Sequence, residues 1–534
     1  MSRLKKVTSL LLVLAMVFSL FTSVGYAGTN ANPSSVSKWE SVASSDILVK
    51  DTITKIADNV YEHEVVTNNA AGNDQKIDYL TEITPSDSLK IVSGYGENSA
   101  DKWSLTTTTK QALAYEKDNP GSTVVSAINA DFFNMGTGEP LGALVMGGEV
   151  KHEAYGRYYF GVTKDGQAVI RNSADLSDLE SAVGGDALLI NNGEILTENT
   201  AYGALDYSRT AIGIKEDGTV VTFVTYGNRA PVSCGRTYLE IAEMLKGAGC
   251  TYALALDGGG SATLLSRPEG TTGLQLRNHP VDGAEREVSS SLLIVSTKEK
   301  TGVFSHAQLT PNNEVYTPGS EVAFAANGVD TAGMAMDLPA DVSWALADDS
   351  KALGTIDAAT GVFTAGKDTG VVTVNLLQGG KVIGETSIEI VVPDSIYFAT
   401  EEVSLGFEEE TDLGVVVRSK NRDVNYKDGD IKWDFVYNDE YNEKGPGAKA
   451  SVVIGDLRVE AKNGGTYGNR VSVEIVNNTL EGAPAGAVEI RVYLDDEQKE
   501  VFYVQDGRTN GQVASFPLTS IKTCLFLIFI LFEK

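Results

Sequence analysis

The chain has 534 residues, and its 72 Asp and Glu outnumber its 43 Lys and Arg, which gives a formal net charge of −29 at pH 7. This length exceeds what one hydrophobic core usually covers and predicts about three domains. The charge argues against a nucleic-acid ligand, because such binding depends on many cations that neutralise phosphates. Any phosphate-bearing ligand must therefore be held by a few local cations or backbone amides.

Residues 1–27 have the pattern of a secretory signal peptide. Arg3 and Lys5 belong to a positive start, residues 10–21 are apolar, and small residues lead to Ala27. A membrane anchor is the alternative, but the apolar run is shorter than the roughly 20 residues that span a bilayer. We therefore expect cleavage after Ala27 and a secreted, extracellular protein, with attachment to the cell wall left open.

Residues 40–298 predict an α+β domain, a mixed sheet with few helices. Short runs of β-branched and aromatic residues alternate with Gly- and Asn-rich turns, as in strands joined by hairpins. Two segments instead show the helical spacing of apolar residues between a capping residue and a stop signal. The predicted strands cover 60–66, 76–80, 123–128, 141–146, 158–163, 187–190, 210–214, 220–226, 252–256 and 262–265, and the predicted helices cover 106–117 and 237–246.

The chain becomes all-β after this region. Residues 303–393 resemble a bacterial group 2 Ig-like β-sandwich, because a strand with Trp344 precedes a hairpin that reads Gly-Val-Phe-Thr-Ala. Residues 394–506 predict a second β-sandwich-like module with Trp433 in a comparable strand. Neither segment shows a cluster of reactive side chains, so a spacer role is favoured over carbohydrate binding.

The tail, residues 507–534, is left unassigned. Its apolar run from 524 to 532 is too short to cross a bilayer. A buried edge strand, a weak membrane-associating tail and a truncated or frameshifted reading frame are the alternatives, and we favour the last.

The cysteines and histidines are too few for a disulfide scaffold or a visible zinc cluster. Cys234, Cys250 and Cys524 are the three cysteines, and the four histidines are scattered along the chain. Cys234 and Cys250 either close a small loop in an oxidising exterior or remain two buried thiols.

The most informative segment is Asp257-Gly258-Gly259-Gly260-Ser261, which follows a predicted apolar strand. Three consecutive glycines cost backbone entropy and are typical of turns where a ligand approaches the main chain. Successive amides in such a turn form a nest for oxyanions, and Asp257 directs a carboxylate into the same space. A flexible surface loop is the alternative. A P-loop is excluded because no Gly-Lys-Ser/Thr follows.

Six further polar residues lie at predicted strand or helix edges, and each alone is weak evidence. Glu240 also has a structural explanation, because it stands three residues after Thr237 in a capping-box pattern. Without more information the residues indicate a secreted α+β protein with a candidate oxyanion-binding turn. The six are Asn129, Asp131, Arg209, Glu240, Asn278 and Arg286.

An ordered set of short blocks takes the interpretation further. The blocks are residues 127–133, 141–142, 147–149, 209–213, 237–242 and 253–261, followed by Asn278, Pro280 and Arg286. Together they resemble the phosphodiester glycosidase family. One departure is Ala255, where the family often has Asn or another polar residue, and it leaves room for altered substrate contacts.

The resemblance implies hydrolysis of a sugar-1-phosphodiester at the anomeric carbon. It implies that Asp257 is a nucleophile or general base, with Glu240 as a candidate second carboxylate. Two clamping arginines are suited to phosphate oxygens because a guanidinium binds them bidentately. The implied substrate- or phosphate-binding residues are Asn129, Asp131, Arg209, Gly258, Gly259, Gly260, Ser261, Asn278 and Arg286.

The implied partner is a phosphate-containing glycan or sugar phosphodiester, such as an envelope polymer or exopolysaccharide. No cofactor is predicted, although Asp131 and Asp257 leave a divalent cation open. A non-catalytic module that binds cell-envelope polysaccharide is the alternative from another class. A phosphoesterase that cleaves the P–O bond is a second alternative, and the oligomeric state stays open.

Overall fold

The computed structural model divides into two compact units, Met1–Lys427 and Asp428–Lys534. The predicted signal peptide lies outside the described residues, as do large parts of the predicted second β module and most of the tail. The described residues are 39–196, 202–227, 232–398, 414–427 and 430–431, with strands between 449 and 532.

The region that carries the predicted α+β domain is mostly β-structure, with two α-helices among its described residues. Every strand predicted there is present. The helices are α1 (Thr108–Asp118) and α2 (Tyr238–Gly247). The strands are β1 (Ile47–Ala57), β2 (Val60–Asn68), β3 (Lys76–Ile83), β4 (Leu89–Tyr95), β5 (Thr123–Asn129), β6 (Leu144–Met146), β7 (Glu149–His152), β8 (Tyr159–Thr163), β9 (Ala168–Arg171), β10 (Leu179–Gly184), β11 (Leu188–Asn191), β12 (Glu194–Ile195), β13 (Arg209–Lys215), β14 (Val220–Tyr226), β15 (Cys250–Ala255), β16 (Leu264–Ser266), β17 (Gln275–Leu276) and β18 (Ser290–Ser296).

These strands form three sheets around a shared apolar core. An eight-stranded sheet has the order β1-β2-β3-β14-β13-β15-β11-β12, and two five-stranded sheets have the orders β7-β6-β10-β8-β9 and β17-β16-β5-β18-β4. Buried Ile128, Phe160 and Leu254, one from each sheet, belong to one core cluster. Burial of such side chains is the main favourable contribution to folding.

The predicted mixed sheet is wrong, because the described pairings within these three sheets are antiparallel. A helix does connect β14 to β15, and another connects β4 to β5. In each case an antiparallel strand, β13 or β18, lies between the two connected strands. The crossover helices therefore do not produce parallel neighbours.

Both helices begin at threonine caps. The Thr107 hydroxyl accepts a hydrogen bond from the Lys110 amide. Thr237 and Glu240 form a complete capping box, in which each side chain bonds the other residue's backbone amide. The predicted capping box is confirmed.

The segment with the Ig-like resemblance is all-β and has its own core. Trp344, Phe363 and Leu376 are buried at its centre. Its three small sheets have the orders β19-β22-β23, β20-β28-β27-β24 and β21-β26-β25. The strands are β19 (Phe304–Thr310), β20 (Glu314–Tyr316), β21 (Glu321–Ala323), β22 (Ala325–Asp330), β23 (Ala335–Met336), β24 (Val342–Leu346), β25 (Gly354–Ile356), β26 (Val362–Ala365), β27 (Gly370–Gln378) and β28 (Lys381–Ile390). Its assignment to the Ig-like group stays a prediction.

A short hairpin after this segment packs back on the first 80 residues. Arg418 is buried; its Nε donates to Asp423 Oδ1 at 2.8 Å, and its Nη1 lies 3.4 Å from the Gly72 carbonyl. Gln75 Nε2 also donates to Asp423 Oδ2 at 3.3 Å. The hairpin therefore covers the β2–β3 turn. Its strands β30 (Val415–Ser419) and β31 (Arg422–Asp423) form a sheet with β29 (Ser395–Phe398).

The second unit contains two three-stranded antiparallel sheets, β32-β33-β37 and β34-β35-β36. Throughout the described part of the chain, no helix combines the length and apolar character that a bilayer crossing requires. The strands are β32 (Lys449–Ile454), β33 (Leu457–Gly464), β34 (Val471–Asn477), β35 (Ala487–Leu494), β36 (Glu497–Gln505) and β37 (Ile528–Phe532).

Cys234 and Cys250 are both free thiols, so the structure has the second of the two alternatives that the sequence leaves open and not the loop-closing disulfide. Burial raises the pKa of Cys234 to about 11 and that of Cys250 to about 12. Both groups therefore stay protonated and weakly nucleophilic at neutral pH.

A buried ion network holds the start of the described chain against the eight-stranded sheet. The Arg236 guanidinium is fully buried and donates to Asp78 Oδ2 at 2.6 Å and to Thr67 Oγ1 at 2.7 Å. It also pairs with the buried Asp46. Since desolvated charges need complete pairing, this arginine compensates two buried carboxylates at once.

Replacing Arg236 with Ala should destabilise the protein by about 3–5 kcal/mol, because Asp78 then remains buried without its cation and Asp46 keeps only Lys76, 3.7 Å away. Urea denaturation followed by circular dichroism measures this free energy of unfolding. Lys351→Ala, which removes an exposed pair with Asp348, is the matched control and should change little. Equal effects of the two substitutions would contradict the assignment of the network to stability.

Candidate active site

The candidate site forms where strand β15 leaves the eight-stranded sheet. The Leu256 amide still donates to the Thr210 carbonyl at 2.8 Å, but the Asp257 amide donates to the Ala130 carbonyl, also at 2.8 Å. Ala130 follows β5 in a different sheet. Asp257 therefore stands at the junction of two sheets.

Asn129 holds this junction together with its buried side-chain amide. Its Nδ2 donates to the Asp257 carbonyl at 2.6 Å, and its Oδ1 accepts from Thr210 Oγ1 at 2.8 Å and the Thr263 amide at 3.0 Å. Asn278 braces the exit from the turn, because its Oδ1 accepts from the Leu264 amide and its Nδ2 donates to a backbone carbonyl. The structure thus engages both predicted ligand-binding amides in internal hydrogen bonds.

Each glycine of the turn is required by a close contact. A Cβ on Gly258 would lie 2.7 Å from the Ser208 carbonyl oxygen. Gly259 has a φ of 62° and packs against the Tyr207 ring. A Cβ on Gly260 would lie 2.0 Å from Arg286 Nη2. The turn brings a guanidinium directly against the main chain. The predicted oxyanion nest is only partly available, because the Gly259 and Ser261 amides donate to the carbonyls of Ser208 and Gly258.

The Asp257 carboxyl is 8% exposed and lies beside the end of the turn. Burial raises its pKa to about 7, although hydrogen bonds from the Ser261 hydroxyl and the Gly258 amide and the charge of Arg286 act in the opposite direction. Arg286 Nη1 lies 3.4 Å from Ser261 Oγ. Asp257, Ser261 and Arg286 are thus brought together, as predicted from the sequence.

Asp131 is a second buried carboxyl next to the first. It is 1% exposed, and Gly142 and Gly184 leave it just enough room, since a Cβ on Gly184 would lie 2.4 Å from Asp131 Oδ2. Oδ2 accepts from the Gly142 amide at 2.6 Å, whereas Oδ1 is buried without a hydrogen-bond partner. Burial raises the pKa of Asp131 to about 7, and the neighbouring Asp257 raises it further.

Two partly exposed residues, Arg157 and Asp186, lie at the rim of the carboxyl pair of Asp131 and Asp257, and they were not identified from the sequence. The charge of Arg157 acts on Asp131, and Arg157 Nη2 lies 3.9 Å from Asp186 Oδ1. Asp186 in turn accepts a hydrogen bond from the Tyr238 hydroxyl at 2.9 Å. The Gly-Gly pair before Asp186 was the available signal, because it repeats the pattern of small residues beside an acidic residue at a strand end.

Arg209 is buried beside this site with its guanidinium between aromatic rings. Its Cζ lies 4.2 Å from the Tyr202 ring centroid and 4.6 Å from that of Tyr238. Its Nη2 donates to the carbonyls of Tyr202 and Leu205, and its Nε donates to the Arg236 carbonyl. These contacts tie Arg209 to the backbone, and the structure shows no contact with Asp257 among its described hydrogen bonds and ion pairs.

Glu240 is likewise engaged away from the carboxyl pair. One of its oxygens accepts from the Thr237 amide and hydroxyl at 2.8 and 2.9 Å, and the other pairs with Lys76. The capping box and the ion pair together account for its side chain.

Among the described residues, no group of three or more His, Cys, Asp or Glu is arranged to hold a metal ion. Asp131 and Asp257 form a pair without a third such ligand. A divalent cation, which the sequence leaves open, therefore stays open.

Comparison with known proteins confirms the resemblance seen in the sequence. Residues 122–295 match the family model described as phosphodiester glycosidase. N-acetylglucosamine-1-phosphodiester alpha-N-acetylglucosaminidase from Mus musculus is 29% identical over 162 residues, which are 26% of this chain and 31% of that protein. The Bos taurus enzyme is 30% identical over 179 residues, 29% of this chain and 33% of that protein. The chain thus spans about a third of the length of these relatives.

Two solved structures are similar over 46% of this chain. The catalytic domain of zebrafish N-acetylglucosamine-1-phosphodiester alpha-N-acetylglucosaminidase, auto-inhibited by its pro-peptide, is 20% identical, with a TM-score of 0.37 and 88% of that chain covered. A hypothetical protein from Synechocystis is 16% identical, with a TM-score of 0.36 and 64% of that chain covered.

Gly258→Ala should lower the free energy of unfolding by about 1–3 kcal/mol, because the new methyl group collides with the main-chain carbonyl oxygen of Ser208. Gly273→Ala is the matched control, since a Cβ there has no neighbour within 4 Å. Chemical denaturation of both variants measures the difference. Equal stability of the two would show that the turn has room for a side chain.

Asp131→Asn should make the protein more stable than the wild type at pH 8. The raised pKa of Asp131 means that the folded state keeps a proton which the unfolded chain loses above about pH 4. The stability linked to that proton is complete below about pH 4 and is lost as the pH rises to about 7.

Asparagine has no charge to bury, so the gain of Asp131→Asn should be about 2 kcal/mol or more at pH 8 and smaller at pH 5. Urea denaturation at the two pH values measures it. Asp178→Asn, at an exposed ion pair with Arg171, controls for the general effect of removing a carboxylate. A pH-independent effect of Asp131→Asn would show that Asp131 is ionised throughout.

Proposed function

We propose that this protein is a secreted hydrolase that cleaves a sugar-1-phosphodiester at the anomeric carbon. The observation that carries the proposal is the pair of buried carboxyls, Asp131 and Asp257, beside the glycine turn and Arg286. The match of residues 122–295 to the phosphodiester glycosidase family supports the same reaction class.

Glycoside hydrolysis commonly uses two carboxyl groups, one ionised and one protonated. Burial raises the pKa of both Asp131 and Asp257 to about 7, and the charge of Asp257 contributes to the shift at Asp131. Near neutral pH each carboxyl is therefore divided between its protonated and its ionised form. Such a pair supplies a base or nucleophile and a proton donor at once.

We assign the nucleophile or general base to Asp257 and the proton donor to Asp131. An ionised Asp131 would repel a phosphate group, whereas a protonated one donates a hydrogen bond to it. This role replaces the predicted one of simple phosphate binding. During the reaction the C1–O bond breaks, its oxygen leaves with the phosphate, and water supplies the new hydroxyl on the sugar.

Arg286, the Ser261 hydroxyl and the Gly260 amide would hold the phosphodiester anion, because the Gly259 and Ser261 amides already donate to the carbonyls of Ser208 and Gly258. Pre-arranged donors of this kind stabilise charge that develops on the leaving phosphate. Asn129 would act as a positioning residue, because its side chain holds the Asp257 backbone. Arg209 would likewise act as a positioning residue and not as a direct phosphate ligand.

The natural substrate would be a phosphate-containing glycan in the cell envelope or an exopolysaccharide. The acidic chain favours this class over nucleic acid, and the sequence pattern of residues 1–27 favours secretion. The activity for which the relatives are named makes an N-acetylglucosamine-1-phosphodiester the first compound to test.

Asp257→Asn should lower the turnover of a chromogenic N-acetylglucosamine-1-phosphodiester by at least about a thousandfold, because it removes the base or nucleophile while preserving the shape of the side chain. Steady-state release of free sugar measures the loss. Asp178→Asn is the control and should keep wild-type activity, since its ion pair with Arg171 is exposed. Near-normal turnover by the Asp257→Asn variant would contradict the assignment.

The same assay in ¹⁸O-labelled water separates the competing functions. Label in the sugar supports cleavage of the C–O bond, whereas label in the phosphate indicates a phosphoesterase. A wild-type protein that binds sugar phosphodiesters of a broad panel but hydrolyses none would be a polysaccharide-binding module instead.

A further inference from the structure

Each arginine at the rim of the carboxyl pair has a carboxylate of its own. Arg286 Nε donates to Asp282 Oδ2 at 2.7 Å, and Arg157 lies 3.9 Å from Asp186. All four side chains are partly exposed, with between 32% and 42% of their surface accessible. These ion pairs lie beside the carboxyl pair and the glycine turn, and they are more exposed than the fully buried Arg236.

The two arginines act on different members of the carboxyl pair. The charge of Arg286 acts on Asp257, and the charge of Arg157 acts on Asp131. Arg157 also donates to the Gly185 carbonyl at 2.8 Å, while its Nε is buried without a partner. One guanidinium therefore lies near each carboxyl of the pair.

We infer that this arrangement selects a singly charged phosphodiester and disfavours a doubly charged phosphomonoester at the same position. The inference rests on the proposed function and adds to it the charge of the ligand. The positive charge of each guanidinium is already partly balanced by its own aspartate, and Asp131 and Asp257 lie in the same site. A second negative charge on the ligand would therefore meet carboxylates instead of uncompensated cations.

The rim aspartates are held where they can exert this effect. Asp186 is fixed by the Tyr238 hydroxyl at 2.9 Å and by its own amide, which donates to the Ala255 carbonyl at 2.8 Å. Asp282 Oδ2 would lie 2.5 Å from a Cβ on Gly260, so it reaches the glycine turn. Neither carboxylate is a distant surface charge.

This selection has a direct consequence for the reaction. Cleavage of the C–O bond converts a monoanionic diester into a monoester, whose second pKa is near 6 and which is therefore mostly a dianion at neutral pH. The site that binds the substrate would thus disfavour the product. Release of the phosphomonoester would be promoted by charge alone.

The test compares two small anions that need no sugar recognition, dimethyl phosphate and methyl phosphate, at pH 8. Competition calorimetry or ligand-dependent thermal shift gives the dissociation constant of each anion. We expect the wild type to bind dimethyl phosphate at least as tightly as methyl phosphate. Uncompensated guanidinium groups would instead favour the dianion.

Asp282→Asn should shift the affinity ratio toward methyl phosphate by roughly two- to fivefold, because it removes one partly exposed carboxylate from Arg286. Asp186→Asn should shift the affinity ratio in the same direction, because it removes the carboxylate beside Arg157. Asp282→Glu keeps the charge and should keep the wild-type ratio. Asp178→Asn is the control for removing a carboxylate away from the site and should also leave the ratio unchanged.

The inference is overturned if the wild type prefers methyl phosphate, if neither anion binds, or if Asp282→Asn and Asp186→Asn both leave the ratio unchanged. Hydrolysis of sugar-1-phosphodiesters by the wild type is measured separately. An intact protein that hydrolyses diesters without the expected anion preference would refute the charge selection alone. The expected preference without hydrolysis would refute the proposed function alone.

Discussion

The hydrogen bond from Asn129 Nδ2 to the Asp257 carbonyl, 2.6 Å long, joins the ends of two sheets. Together with the bond from the Asp257 amide to the Ala130 carbonyl, it fixes the direction of the chain beyond Leu256. These bonds bring Asp257 close to Asp131, which follows β5 in the other sheet. The two carboxyls are 126 chain positions apart, and burial raises the pKa of both. The chemistry therefore depends on how the sheets meet.

The sequence predicted the turn well because three glycines in a row are difficult to explain by anything except close approach to the main chain. Each of the three has a contact that a side chain would obstruct. The capping pattern also gave a complete account of Glu240. The orientation of the Arg209 side chain could not be predicted, because it is set by the rings of Tyr202 and Tyr238, which lie in two different segments of the chain.

Predicting the strands was easier than predicting their partners. β14 and β18 are both buried along their whole length and lack the alternation that marks a half-exposed strand. β14 was predicted because clear turns bound it, whereas β18 begins within a run of serines without a turn signal. The predicted mixed sheet failed for a related reason. Local pattern does not reveal that β13 inserts between β14 and β15 and makes both pairings antiparallel. Arg157 and Asp186 were missed because each is unremarkable within its own segment.

The hairpin of β30 and β31 changes where the end of the first folded unit is placed. Its Arg418 reaches the Gly72 carbonyl, and its Asp423 receives a hydrogen bond from Gln75. A limit drawn at residue 393, where the Ig-like pattern stops, would strip these partners from the β2–β3 turn. The smallest fragment that keeps these contacts is therefore longer than the region matched by the family model. Proteolysis that stops near residue 427 would preserve contacts that a shorter fragment loses.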